Sequence, residues 1–305
     1  MKIESREYNP KEDFDKLMQF LINTYNETKT LQNWFPDRFE SNHDDWIPDI
    51  RIWEEINDMI SPPHHKIVAF VIPERTFNYF IQIHPDYSFL EKEIINWIEI
   101  HCTAKKKELN EKQTLSIITV EGNIIREQVL TELGFKQLLD PIYGHLRIRP
   151  LDLPIRDYSL PEGFEIRSVQ GKSDYEKLAE GVRLIFGHGD WFTAEIIEGI
   201  INRSFYKQDL DLVVVAPDGA IAAFCTFRID PVSRITQLEP MGTHPKFRRL
   251  GLAKALLSEG LKRLEKYNPT LLYIGGAADN PAAMRLYESV GFTKKLTLYF
   301  WVKDI

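Results

Sequence analysis

Two groups of residues near the C-terminal end of this 305-residue chain have the types and spacing of an anion site followed by a polar helix face. The first group comprises Met241, Gly242 and Thr243, then Arg248, Arg249, Leu250, Gly251, Leu252 and Ala253. Gly251 allows a tight turn with φ > 0, so successive amides from Arg248 to Ala253 converge on one point at a helix N-terminus. The helix macrodipole adds to their pull. Arg248 and Arg249 bring mobile positive charge to the same point, and the chemistry this suits is phosphate binding. An Arg-x-x-Gly-x-Ala pattern also occurs in ordinary loops, so its meaning depends on the residues C-terminal to it. The second group lies there: Asn280 and Tyr287, seven residues and two helical turns apart, share one helix face.

The elements that must position these residues are legible around them. Residues 234–241 read as a strand leading into the loop. Residues 251–267 read as a helix with Leu252, Leu256, Leu257, Leu261 and Leu264 as its apolar stripe, stopped by Asn268-Pro269. Residues 271–274 form a short apolar run that fits a buried strand, ended by Gly275-Gly276. A second helix opens at Asp279-Asn280-Pro281 and closes at Gly291, with the cap, first-turn proline and terminal glycine that mark helix boundaries.

Arg248, Gly251 and Ala253, together with Asn280-Pro281-Ala282-Ala283-Met284-Arg285-Leu286-Tyr287-Glu288 and Gly291-Phe292, resemble the two acyl-CoA motifs of the GNAT superfamily of N-acetyltransferases. The resemblance implies that residues 241–243 and the 248–253 loop bind acetyl-CoA, with the loop on its pyrophosphate. It implies that Asn280, with Ala283 beside it, meets the pantetheine arm and that Tyr287 is the general acid toward the departing thiolate. It also implies a fold: a mixed, mostly antiparallel sheet flanked by helices. The order of elements from residue 164 onward agrees, with helices at 173–186 and 193–204, and strands at 164–169, 210–216, 221–229, 234–241 and, finishing the sheet, 295–302. Asp218-Gly219 marks a hairpin between two of these strands.

Amine attack on a thioester needs a neutral nucleophile, whereas an alkylamine with a pKa near ~10.4 is protonated at neutral pH. A base is therefore needed. Glu239, on the strand entering the loop, is the best carboxylate; Gln237 stands where several relatives of the family carry a glutamate base. Pro240 lacks an amide proton and marks a bulge that alters side-chain parity on either side. The resemblance assigns the amide around Met241 to polarising the thioester carbonyl. His188 and Trp191, in a Gly-rich loop between two helices, are candidates for the acceptor wall. The same motifs would serve a module that holds acyl-CoA without turnover; Tyr287 argues for the enzyme, and Gln237 in place of a glutamate for the module.

Length, charge and repeats bound the remainder. One such fold needs about 150 residues, so two domains are expected, 1–150 and 151–305, joined by an extended Pro-rich linker over 149–163. A hydrophobic content of 43% and a charged content of 27% describe an ordinary soluble globular chain, for which the resemblance implies an α/β fold class, and a net charge of −7 argues against nucleic acid as a partner. No apolar run approaches membrane-spanning length, no Cys-rich metal spacing occurs, and Cys102 and Cys225 read as small buried hydrophobes. The expected setting is cytoplasmic, as a monomer or homodimer, with no metal and a small-molecule amine as acceptor. The first half repeats the second in weakened form: His84-Pro85 against His244-Pro245, and Gly134-Phe135 against Gly291-Phe292. Asn123 then matches Asn280, but Leu130 matches Tyr287, and Glu91 and Glu93 fall near Gly251 and Ala253. The N-terminal domain reads as a degenerate, non-catalytic copy.

Overall fold

Val68-Ala69-Phe70-Val71-Ile72 is an unbroken apolar run with every side chain fully buried. A strand buried on both faces must be covered by helices on each side, which sets the layering of the chain. The computed structural model describes residues 2–31, 34–59, 64–109, 113–275 and 280–305. These fall into two units, 1–144 with 296–305, and 145–295.

The first unit runs β1 (Lys2–Glu7), α1 (Pro10–Thr28), α2 (Pro36–Asn42), β2 (Arg51–Asn57), β3 (His64–Arg75), β4 (Asn78–Ile83), α3 (Glu91–Leu109), β5 (Thr114–Val120), α4 (Ile124–Glu132) and β6 (Lys136–Gln137). Strands β1 to β4 pair antiparallel in sequence order, and β4 pairs β5 in parallel. Helices α1 and α2 pack on one face through Leu17, Phe20, Leu21 and Phe39. Helices α3 and α4 pack on the other through Ile94, Ile95, Ile98 and Leu130.

The second unit repeats this plan with β7 (Gly144–Ile148), β8 (Glu165–Ser168), α5 (Gly171–Phe186), α6 (Ala194–Ile201), β9 (Asp211–Val215), β10 (Ile221–Ile229), β11 (Ile235–Thr243), α7 (Leu252–Glu265), β12 (Leu271–Ile274) and α8 (Pro281–Ser289). Its strand order is β8-β9-β10-β11-β12-β7, with β11 and β12 parallel and the other pairs antiparallel. Helices α5 and α6 cover one face and α7 and α8 the other. The hairpin at Asp218-Gly219 forms with Gly219 at φ 80°.

Two expectations need correction. The last strand, β13 (Lys294–Asp304), does not finish the second sheet. It pairs antiparallel with β5 from Leu298↔Val120 to Asp304↔Thr114, and Trp301 packs beside Ile117 in the first unit. The free edge of β12 is taken instead by β7, with Ile148 opposite Tyr273 and Arg147 opposite Ile274. An apolar strand pattern shows that an edge needs covering but not which of two edges receives the strand. The second correction concerns residues 149–163, which form no regular element yet are not a free linker. Arg149 donates to the carbonyls of Val290, Pro150, Leu153 and Pro154, Tyr158 Oη donates to Ser289 O at 3.2 Å, and Ile155, Tyr158 and Leu160 pack on the core beneath α7.

Three local hydrogen-bond devices recur in both units. Arg6 bonds Asp13 at 2.6 and 2.8 Å while Asn9 N donates to the same carboxylate; 161 positions on, Arg167 bonds Asp174 at 2.5 and 3.0 Å while Gln170 N does the same. His84 and His244 each accept the amide two residues ahead on Nδ1, at 3.3 and 3.2 Å. Asn123 and Asn280 each cap a helix by accepting the amide three residues ahead, at 3.3 and 2.9 Å. Such devices tie strand ends to helix starts at matching places, so the two units share a plan.

Helix α7 lies close on β10 because Gly260 has no side chain: a Cβ there would sit 2.2 Å from Phe227 Cε2, in a ring that is fully buried. Gly260→Ala is expected to lower stability by about 1–3 kcal/mol through overpacking, despite the better helix propensity of alanine. Equilibrium urea unfolding checks this.

Candidate active site

The site begins where two parallel strands part. β11 and β12 share only three pairs, Ile235↔Leu271, Thr236↔Leu272 and Gln237↔Tyr273; β12 ends at Ile274 while β11 continues to Thr243. On its other side β11 pairs with β10, and the register shifts between Cys225↔Met241 and Phe227↔Leu238. Glu239 and Pro240 therefore stand against Thr226 alone, the bulge that the proline led us to expect. Parity is set by this bulge. Gln237, opposite Arg228, and Gly242, opposite Phe224, face α5 and α6, whereas Met241, opposite Cys225, packs toward α7.

Both candidate bases lie on that first face. Gln237 is buried and its Nε2 donates to Glu239 Oε2 at 2.5 Å, so the amide holds the exposed carboxylate in place. Gly242 is required by packing, since a Cβ would meet Phe224 Cζ at 2.6 Å and Ile185 Cδ1 at 3.0 Å. Tyr287, on α8, is buried in the core beneath α7 and α8 with its ring edge-on to Phe292 at 5.9 Å. Burial pushes its hydroxyl up to about 12, helped by Cys225 and Glu239 and opposed by Arg147. Those influences place Glu239 and Arg147 within electrostatic reach of the phenol. Burial likewise pushes the Cys225 thiol well up, leaving it an inert packing group.

The loop from β11 to α7 has the expected form. Arg249 and Gly251 both take positive φ, 69° and 82°, and Gly251 is the N-cap of α7. The amides of Lys254 and Ala255 bond back to Gly251 O at 3.1 and 3.2 Å; among the described residues, those of 249–253 donate to no backbone carbonyl. Unspent amides at a helix start form an anion cradle. Arg248 is exposed and tethered only by Nε to Thr243 O at 3.3 Å, leaving its terminal nitrogens for a ligand. Asn280 is exposed and spends Oδ1 on capping α8 through Ala283 N, while Tyr287 on the same helix is buried. They therefore line one helix at different depths. Gly276 and Asp279 lie outside the described residues.

The acceptor candidates form an aromatic group at the end of α5, which Gly187 closes at φ 71°. His188 lies 5.2 Å from Trp191 and 5.4 Å from Phe192, and stacks on Phe186 at 6.0 Å; Phe186 in turn approaches Phe224, the ring that packs on Gly242. Trp191 is 63% exposed, so its indole is not a core plug. Arg147 was missed in the sequence because it lies 140 positions before Tyr287, ahead of the expected domain boundary. The available signal was a charge between Leu146 and Ile148 in an apolar strand.

Residues 180–292 match the acetyltransferase (GNAT) family. A mycothiol acetyltransferase of Salinispora arenicola (strain CNS-205) is 31% identical over 173 residues, which cover 53% of this chain and 54% of the relative. The chain thus spans about half the length of the curated relatives it matches. A tandem GNAT protein from the clavulanic acid biosynthesis pathway, solved without AcCoA, is similar over 99% of this chain and 98% of its own, at 14% identity and a TM-score of 0.67. A GCN5-related N-acetyltransferase from Sphaerobacter thermophilus is similar over 99% and 95%, at 17% identity and a TM-score of 0.65. These two likenesses show the fold.

Arg248→Ala is expected to weaken coenzyme A binding about tenfold or more, the worth of one charge-assisted contact, with the melting temperature unchanged. Titration calorimetry and a thermal melt read the two effects.

Proposed function

We propose, from the match of residues 180–292 to the GNAT family of acetyltransferases, that this protein moves an acetyl group from acetyl-CoA to the primary amine of a small molecule. One observation carries the reading: the Gln237–Glu239 pair and Tyr287 stand within electrostatic reach of each other where β11 leaves β12. A carboxylate and a protonated phenol across a gap between strands suit removal of a proton from an amine and stabilisation of a leaving thiolate.

The geometry supports the following roles. The 248–253 loop holds the pyrophosphate on its unspent amides, with Arg248 and Arg249 adding charge. Asn280 keeps its side-chain NH2 for a carbonyl of the pantetheine arm, with Ala283 beside it, and Met241 to Thr243 line the arm along β11. Acetyl-CoA supplies the thioester. Glu239, oriented by Gln237, accepts the proton that the acceptor ammonium must lose. As the amine nitrogen bonds the carbonyl carbon, the carbon–sulfur bond breaks, the sulfur leaves as thiolate, and the nitrogen gives its second proton to solvent to become the neutral amide. A thiol titrates near about 8.5, so a phenol held near 12 does not give up its proton outright. Tyr287 acts as a hydrogen-bond donor to the thiolate, which then takes a proton from solvent. His188 and Trp191 form the acceptor wall.

In the first unit the corresponding places are filled from within. Glu91, the first residue of α3, receives Arg126 Nε and Nη2 at 2.9 to 3.1 Å, and both side chains are fully buried. An arriving phosphate would compete with a carboxylate that already neutralises the arginine. Leu130 is a fully buried core residue where α8 has Tyr287. These features support a first unit that neither binds coenzyme A nor catalyses.

Tyr287→Phe is expected to lower kcat about 10²-fold or more in thiol release from acetyl-CoA against a panel of small amines, while coenzyme A affinity stays within about threefold. Because the raised hydroxyl stays protonated through neutral and mildly alkaline pH, wild type should show no fall in kcat from this group until pH approaches 11 or above. Coenzyme A binding without thiol release for any amine would favour a non-catalytic acyl-CoA module instead. Calorimetry should give a stoichiometry of one coenzyme A per chain; two would overturn the reading of the first unit.

A further inference from the structure

The face that carries Gln237 and Glu239 also carries a cation that has, among the described residues, no side-chain hydrogen-bond partner. Arg228 stands opposite Gln237 in the β10–β11 register, so its side chain leaves the sheet on the same side. Its guanidinium lies over the Phe205 ring at 5.4 Å. Its Nε is buried and has no hydrogen-bond partner, and among the described residues Arg228 makes no side-chain hydrogen bond or ion pair. Asp211 is within electrostatic reach of it but is already spent, accepting Thr226 Oγ1 at 2.7 Å and Tyr206 Oη at 3.0 Å. Glu239 has Oε2 engaged by Gln237. By contrast Arg149, Arg167, Arg183 and Arg263 in this unit all donate to named acceptors. A half-buried guanidinium with an unsatisfied donor is costly unless something arrives to accept from it.

We infer that Arg228 binds an anionic group, of the carboxylate class, on the acceptor, and so selects amines that carry an acid at the end remote from the nucleophile. This rests on the proposed acetyl transfer at the same site. Met241, where the thioester carbonyl is assigned, pairs with Cys225, and Arg228 lies three residues further along β10, about 10 Å at the strand rise. Glu239 lies between them along β11, on the face that carries Arg228. An acceptor laid along this face brings its amine to Glu239 and its acid to Arg228. The planar guanidinium, pre-oriented by the Phe205 ring, suits a bidentate carboxylate. Without Arg228 a second carboxylate so near Glu239 would be repelled.

The test compares ω-amino acids of four to eight carbons with alkylamines of the same length as acceptors, in wild type, Arg228→Met and Arg228→Lys. Wild type should prefer the acid-bearing member by about tenfold or more in kcat/KM at one or two lengths. Arg228→Met should erase that preference through KM, with kcat, the rates for neutral amines and the melting temperature held; Arg228→Lys should keep part of it. No preference in wild type, or a preference that survives in Arg228→Met, overturns the inference. Should no amine of either kind be acetylated, the transferase reading fails by itself. The inference is then decided by calorimetry of the same ω-amino acids on the coenzyme A-loaded protein: binding lost in Arg228→Met supports it, and equal or absent binding in both proteins overturns it.

Discussion

The whole site depends on β11 and β12 remaining paired for only three residues. Parallel strands held together along their length would bury their amides in a ladder and leave no room between them. Because β12 stops at Ile274 while β11 runs on to Thr243, the backbone from Leu238 onward is, among the described residues, bordered on that side by no strand of its own unit. The bulge at Glu239 and Pro240 then divides the exposed stretch by parity. One face receives Gln237, Glu239 and Arg228, and the other receives Met241 beneath α7. The Gln237–Glu239 pair is thereby on one face of the sheet, and helix α7 with the buried Tyr287 is on the other.

Close packing keeps that division in place. Gly242 admits Phe224 and Ile185 against β11, and Gly260 admits Phe227 against α7. The two glycines sit on either side of the sheet, and each lets an aromatic ring of β10 lie where a side chain would otherwise be. The cradle is thus fixed to the strand that bears Gln237 and Glu239 through β10, a strand with eight of nine residues apolar or buried. Strands and helices fix positions better than loops do, and the groups assigned to the chemistry are on β11 and α8.

The two units share the Arg–Asp tie, the histidine turn and the asparagine cap, yet differ where an anion would meet a helix start. In the first unit Glu91 and Arg126 form a buried bidentate pair. Such pairs contribute little net stability, because desolvation offsets the attraction, but removing one partner alone is severe. That asymmetry locks the first unit into its present form: neither residue is readily replaced without the other. In the second unit the equivalent place has unspent amides and exposed arginines, the surface proposed to take the pyrophosphate.

Much of this was legible from residue types and spacing, and the parts that were not share one cause. The two motifs that resemble those of the GNAT superfamily, the bulge at Pro240, the cap at Asn280 and nearly every element of the second unit depend on interactions within about twelve positions, such as a helix period, a cap or a turn. Local physics is written locally. The sequence also held the Arg6–Asp13 and Arg167–Asp174 ties, an equal spacing of seven that marks the repeat better than His-Pro does. Only the tertiary structure decided which sheet edge β13 joins, that Arg147 lies near Tyr287, that residues 149–163 are pinned to the core of the second unit, and that Arg228, among the described residues, has no side-chain hydrogen-bond partner on the face of Glu239. Those facts concern pairings across tens to hundreds of positions. An edge strand or a buried charge carries the same residue types whichever neighbour it meets, so its neighbour is settled by packing of the folded chain.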